Sequence, residues 1–371
     1  MRAWAEVSLD AVGANVETIR RLVAPAEVCA VVKADGYGHG AVPVAQAALE
    51  AGATWLAVAQ VPEAAALRQF GITAPVLLLS EPRPSQLDEA LDANVAVTVY
   101  SSALIAALAH AVSARGARSW PVHLKVDTGM HRVGAAPADV VALAKAVDAE
   151  AALSLEAVWT HCAIADEPDD PFTALQLERY EAVLADVASA GIDVPMRHAA
   201  NSAAAIAHPA SRYDLVRCGI AVYGIPPSPT MAGAVLLQPA VHLATEVSFV
   251  KRVAAGEGIS YGLRHQVERD TMIATLPIGY ADGVPRRLGL EHQEVLIHGR
   301  RHPIVGAVTM DQLMVDLGPI SDVQPGDEAV LLGAQGDDRV TPDEWADRLD
   351  TISYEVVCAI GARVERRYSS S

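Results

Sequence analysis

Basic charge is the first thing this chain is short of: 28 Lys and Arg stand against 45 Asp and Glu, a formal net charge of −17 over 371 residues. Affinity for nucleic acid comes largely from neutralised phosphates and released counterions, so no nucleic-acid partner is expected, although small local anion sites remain open to the chain. Cysteine is the second. Cys29, Cys162, Cys218 and Cys358 lie far apart with no C-x-x-C pair, which argues against a disulfide framework or a zinc site and for buried, reduced thiols. Long apolar runs are the third, since nowhere do about 18 apolar residues follow one another without a charge, Gly or Pro, and no membrane-spanning helix is expected. The start, MRAWAEVSLDAVGANVE, brings in Glu6 and Asp10 before any stretch fit for a signal peptide, so a cytoplasmic location and no membrane partner are expected. What is there is apolar residue in quantity: 51% hydrophobic against 20% charged is enough for a large core and too much for a disordered chain.

Short apolar runs without helical period recur at 28–33, 55–59, 75–79, 95–100, 121–127, 155–161, 196–201 and 215–220. Between most of them lie Ala-rich segments of 3.6-residue periodicity, such as SSALIAALAHAVSARG and PADVVALAKAVDAE, several of which end in Gly, as helices often do. Runs apolar on both faces and joined through helices describe a parallel sheet, and eight units suffice to close a (β/α)8 TIM-type barrel. An open, doubly wound sheet is the alternative. The placement of polar residues favours the barrel: Lys33, Asp127, His161, Asn201 and Arg217 each fall near the C-terminal end of a run, and in a barrel those ends converge on one mouth.

Past residue 232 helical periodicity nearly disappears and short β-rich runs take over, among them VHLATEVSFVKRV, TMIATLPIGY and DEAVLLGA. PPSPTMAGA at 226–234 has the composition of a domain crossing. The expected organisation is α/β plus β: a barrel over 1–232 and a mostly β domain over 233–371, with the first ~10 residues able to pair with the second domain.

The sharpest stretch is AVVKADGYGHG at 30–40, where Lys33 ends a buried strand ahead of Gly36, Gly38 and Gly40. Desolvation lowers a lysine's pKa and turns its amine into a nucleophile toward an aldehyde, then a base. On its own, Lys33 could equally snorkel into solvent. The glycines favour close backbone approach to a ligand.

With HLKVDTGMHRVG (123–134), HAANSA (198–203), RCGIAVYG (217–224), ISYG (259–262), IGYADG (278–283) and TMDQLMVD (309–316), this stretch resembles the motifs of the alanine racemase family, in family order across the chain. The resemblance implies interconversion of L- and D-alanine, feeding D-alanine to cell-wall peptidoglycan. It implies pyridoxal phosphate as cofactor, held as an aldimine on Lys33. Lys33 and Tyr261 would be the two bases on opposite faces of the substrate Cα, with His161 and Arg217 supporting Tyr261. Arg217 would also face the pyridine nitrogen, which a guanidinium cannot protonate. Tyr37, Asn201, Ser202 and the amides of Gly219 and Ile220 would bind the phosphate, as barrel loops seven and eight often do. Arg132 and the amide of Met310 would take the substrate carboxylate, with Asp311, next in the chain, also at the substrate site. Tyr280 would narrow the entrance, and Lys125 would stand where relatives can carry a carbamylated lysine. A homodimer is implied, because Tyr261 and Met310 would reach the barrel mouth from the other subunit. No metal is expected.

The chain departs from the family pattern at His131, where GMGR is common and a stiffer loop is expected here, and at Ala362, where some relatives have a phosphate-binding Tyr. A serine or broad-specificity racemase is the nearest alternative. Basic amino acid decarboxylases and a non-catalytic pyridoxal phosphate carrier are alternatives of other classes, against which the SYG and TMDQ segments and the long β domain speak.

Overall fold

A computed structural model describes residues 3–370, which divide into two compact units. One comprises 12–36 and 41–238; the other gathers the N-terminal strand, 37–40 and everything from Pro239 on.

The first unit is a barrel. Eight strands, β2 (Glu27–Val31), β3 (Trp55–Val58), β4 (Val76–Leu78), β5 (Ala96–Val99), β6 (Trp120–Lys125), β7 (Leu153–Trp159), β8 (Met196–His198) and β9 (Leu215–Cys218), run in the spatial order 8-7-6-5-4-3-2-9, every pair parallel. Hydrogen bonds from Asp214 N to Arg197 O (3.0 Å) and from Arg217 N to Ala200 O (2.9 Å) bring the two ends of the sheet together. The open sheet is thereby excluded. Each of the eight apolar runs read from the sequence overlaps one of these strands, and β3, β4 and β5 are buried throughout, as strands between a helical layer and a barrel core must be.

The covering helices follow from sequence in the same way. Ser102–Ala114 starts on an N-cap, Ser101, whose Oγ accepts from Leu104 N at 3.3 Å, and it buries Leu104, Ile105, Leu108, Ala109 and Val112 along one stripe. Burial of each of its larger side chains contributes roughly 1.5–3 kcal/mol. Gly116, at φ 68°, ends the run.

One irregularity matters for the site. Along β6 and β7, Val122 pairs with Leu155 but the next residue, His123, pairs with Ala157, leaving Glu156 as an extra residue in the ladder. Such a bulge bends the strand and re-aims the side chain it inserts.

In the second unit a sheet runs through Arg300–Pro303, Glu294–Ile297, Glu328–Gln335, Val241–Glu246, β1 (Ala3–Ser8) and Glu365–Ser369. β1 pairs antiparallel with Val241–Glu246 and parallel with Glu365–Ser369. A second antiparallel sheet joins Phe249–Val253, Thr271–Leu276 and Leu313–Gly318. Ile259, Val267, Ile273 and Val305 form a core cluster there. Gly38 and Gly40 belong to this unit, and their role differs from the expected approach to a ligand. Both have positive φ, and a Cβ on Gly38 would strike the carbonyl of Val357, one on Gly40 the hydroxyl of Tyr368. These glycines make room for the chain itself. No helix among the described residues is long and apolar enough to cross a membrane.

Candidate active site

The side chains with chemistry in the barrel unit sit at the C-terminal ends of its strands or inside it. Lys33, half-buried, stands two residues past β2 and is followed by a left-handed turn, with φ of 51°, 51°, 61° and 52° at Ala34, Asp35, Gly36 and Tyr37. L-residues disfavour that region, so the turn needs outside support. Glu63 supplies it, accepting Ala34 N on one carboxylate oxygen (2.7 Å) and Ala59 N and Gln60 N on the other (2.8 and 2.9 Å). Asp35 closes the turn by accepting Ala41 N at 2.9 Å.

Arg217, 3% exposed, is a firmly fixed cation of the barrel interior. Its Nη1 donates to His198 Nδ1 at 2.7 Å, and its Nη2 to the carbonyls of Thr160 (2.8 Å) and Ala199 (2.9 Å) and to His161 Nδ1 at 3.2 Å. The Nε–H makes no hydrogen bond among the described residues. Burial lowers the guanidinium to about 10, which leaves it charged at neutral pH. Because a guanidinium only donates, His161 must accept on Nδ1, and the proton of the neutral ring stands on Nε2. Burial and the charges of Arg217, Arg132, Lys125 and Lys33 hold His161 well below the ordinary histidine value, so the ring is neutral at pH 7.

Lys125 is 3% exposed, and burial, Arg132 and Arg217 lower its amine to about 7, Asp127 opposing them. The face of Trp159 carries both cations, with Lys125 Nζ and Arg217 Cζ each 4.5 Å from its ring. Arg132 is exposed on a loop closed by Asp127 N to Ala135 O (2.9 Å) and Ala135 N to Lys125 O (2.8 Å). Asp127 is therefore a loop builder: its Oδ1 accepts from Gly129 N at 2.9 Å and His131 N at 3.1 Å. His131 holds φ 54°, a conformation that glycine adopts without strain and histidine does not.

Asn201 is the N-cap of Ser202–Ala207, accepting from Ala204 N at 2.9 Å and donating to Cys162 O at 3.3 Å. Its side chain is thus engaged locally. Ser202 Oγ accepts from Gly219 N at 3.0 Å and Ala221 N at 3.4 Å, gathering a hydroxyl and successive amides of 219–221 at one place.

In the β unit, Tyr261 is 71% exposed, behind Ser260 at φ 60° and ψ −171°. That combination is nearly confined to glycine; here Ser260 Oγ donates to Ala307 O at 2.6 Å. Tyr280 and Met310 are 44% and 52% exposed on abutting loops, joined by Tyr280 N to Thr309 O and Ala281 N to Met310 O, both 3.0 Å. Asp311 is engaged by Arg363 at 2.8 Å, and the same guanidinium reaches Asp282 at 3.1 Å, so the Asp311 carboxylate braces the loop. Tyr37 is buried with its ring centroid 6.3 Å from that of Tyr354.

The structure brings Lys33, Lys125, Arg132, His161 and Arg217 within electrostatic reach of one another, and adds Glu63, His123, Glu156, Trp159 and His198, which the sequence reading does not pick out. A histidine inside an otherwise apolar strand, as in HLKVD and RHAAN, was the signal for two of them.

A parallel barrel that collects a lysine, a buried arginine and neutral histidines at its strand ends, on one chain with a β unit, defines a barrel enzyme with a lysine-centred, cation-rich site. The sequence matches the family description "Alanine racemase, N-terminal domain" over residues 7–227 and "Alanine racemase, C-terminal domain" over 240–368. It is 51% identical over 365 residues to an alanine racemase of Symbiobacterium thermophilum, covering 98% of this chain and 96% of that protein. A racemase of Mycobacterium tuberculosis is 47% identical over 370 residues, 99% and 96% of the two chains. The crystal structure of alanine racemase from a D-cycloserine-producing Streptomyces lavendulae superposes with TM-score 0.94 at 41% identity, covering 100% of this chain and 98% of that one. The Bacillus anthracis enzyme, solved with bound L-Ala-P, gives 0.92 at 39%, with 100% and 95% covered. The chain belongs to the alanine racemase family, a family of isomerases.

Proposed function

We propose that this chain interconverts L- and D-alanine with pyridoxal phosphate as cofactor, using Lys33 and, from a second copy of the chain, Tyr261 as its two bases. The residues present fit that cofactor. The Nε–H of Arg217 has no acceptor among the described residues, on a guanidinium fixed by its other donors, which suits an aromatic ring nitrogen that is hydrogen-bonded but not protonated. Ser202 and the amides of Gly219 and Ile220 would hold the phosphate, with Asn201 capping the helix behind them and Tyr37 adding a hydroxyl. Lys33 would hold the aldehyde carbon.

When bound, the cofactor withdraws electrons from the substrate and so makes its α-proton removable. The chain's own residues do the rest. Lys33 takes or returns the proton on one face of the Cα, and the Tyr261 hydroxyl does so on the other, since inversion requires bases on both faces. A neutral phenol is a poor base, and the Nε2–H of neutral His161, whose Nδ1 is taken by Arg217, would donate to the Tyr261 oxygen and favour its phenolate. Arg132 and the amide of Met310 orient the carboxylate, on a loop that Asp311 braces through Arg363, and Tyr280 excludes larger side chains. The product would serve the cell wall from the cytoplasm.

The anchored, buried Arg217 beside His161 is the observation that carries this reading. Incubation of the cofactor-loaded protein with L-alanine in heavy water tests it, reading chirality and α-deuteration together. Deuterated D-alanine is the expected product. Deuterated L-alanine without inversion would sink the two-base assignment, and absence of exchange would sink the alanine reading.

A further inference from the structure

Arg217 is the end of a longer chain. His198 Nε2 lies 3.0 Å from His123 Nδ1, and His123 Nε2 lies 2.9 Å from Glu156 Oε2. Both rings are fully buried, whereas the Glu156 side chain is one-third exposed. Glu156 is the extra residue of the β6–β7 bulge, and the bulge turns its carboxylate toward His123.

The proton positions along this chain follow from its two ends. The guanidinium can only donate, so His198 accepts on Nδ1 and carries its proton on Nε2. That proton is donated to His123 Nδ1, which forces the His123 proton onto Nε2, where the carboxylate accepts it. Every hydrogen bond points from Arg217 toward Glu156. Burial holds both histidines below their ordinary values, His198 well below, which agrees with two neutral rings between one cation and one anion. His198 is clamped besides, its ring stacked on Trp159 at 14° and 5.4 Å.

We propose that Glu156, through His123 and His198, is a remote positioning residue for Arg217: its carboxylate fixes both imidazole tautomers and so the orientation of the guanidinium. This rests on the role of Arg217 proposed above and assigns that role a support some way down the barrel interior. Without an acceptor at position 156 the His123 tautomer is held from the Arg217 end alone, and the His123 Nε2 proton loses its partner. A proton on His123 Nδ1 would make His198 Nε2 the acceptor and place an N–H of His198 against an N–H of Arg217, repelling the guanidinium.

The test has two arms. In the cofactor-loaded enzyme, 15N spectra of labelled histidines at neutral pH are expected to show two buried, neutral rings protonated on Nε2, assigned to His123 and His198 by their loss on substitution. A proton on Nδ1 of either ring, or two charged rings, would overturn the proposal. This arm needs no racemisation, so it stands or falls separately from the proposed activity. In the second arm, Glu156→Leu is expected to lower kcat about tenfold with KM within about twofold, the pattern of a lost orienting contact, and Glu156→Gln, whose amide oxygen still accepts, to recover most of that loss. Equal kinetics in all three proteins would overturn it. Should Glu156→Leu not fold, Glu156→Gln with retained Nε2 tautomers remains the expected result, and a switched tautomer in that variant counts against the proposal.

Discussion

At the scale of single residues, the amine of Lys125 has the most exposed consequence. Burial, then Arg132 and Arg217, bring it from 10.5 to about 7, so near neutral pH a substantial share of the amine carries its lone pair. Such an amine adds to carbon dioxide: an N–C bond forms, one proton passes to water, and the resulting carbamate places a negative charge beside the two guanidiniums that disfavoured the ammonium. With 13C-labelled bicarbonate at pH 8, a carbamate resonance is expected that is missing from Lys125→Arg. A bare amine in ample bicarbonate would refute it. In the absence of carbon dioxide the same shift has a thermodynamic sign. Between about 7 and 10.5 the unfolded chain holds the Lys125 proton and the folded chain does not, so stability rises with pH through that window. Lys125→Met should lose this slope in denaturant titrations, and an unchanged slope would place the titration elsewhere.

At the scale of elements, the left-handed turn after Lys33 is the segment that local preference opposes. Ala34, Asp35 and Tyr37 each stand in a region that costs roughly 1–2 kcal/mol per non-glycine residue, and the Ala34 amide on the Glu63 carboxylate, itself anchored by the amides of Ala59 and Gln60, offsets part of that. Glu63→Ala is expected to destabilise the protein by about 2 kcal/mol and to slow cofactor loading at Lys33, measured by urea unfolding and by the growth of cofactor absorbance. A loss under about 0.5 kcal/mol would mean that Asp35 and Gly36 hold the turn unaided. The sequence legibly announced the strands and helices around this turn, because apolar runs and 3.6-residue stripes are local signals. It announced Lys33 as well. The turn itself was invisible, since its support comes from a carboxylate on another βα unit, and Gly38 and Gly40 looked like ligand contacts because Val357 and Tyr368 lie more than three hundred residues away. The line from Glu156 through His123 to His198 was illegible for the same reason, although the two histidines stood out in their strands: only the barrel's register, with its bulge, sets the three in line.

At the scale of the whole molecule, the proposed chemistry is divided between the two units. Lys33, His161 and Arg217 lie in the barrel unit, whereas Tyr261, Tyr280 and Met310 lie in the β unit with 71%, 44% and 52% of their surfaces exposed. Leu263 adds a further apolar side chain, 62% exposed, two residues from Tyr261. Exposed aromatic and aliphatic residues of this kind are what a second copy would cover. If each site draws Lys33 from one copy and Tyr261 from the other, Lys33→Ala and Tyr261→Phe proteins are each inactive alone but complement one another. Random exchange at equal amounts makes about half of the dimers mixed, and each mixed dimer has one site with both native residues and one with neither, so about a quarter of wild-type activity should appear. The recovered activity should follow the rate of subunit exchange. If each chain instead builds its site from its own Lys33 and Tyr261, every site in the mixture carries one defect whatever the pairing, and no activity returns.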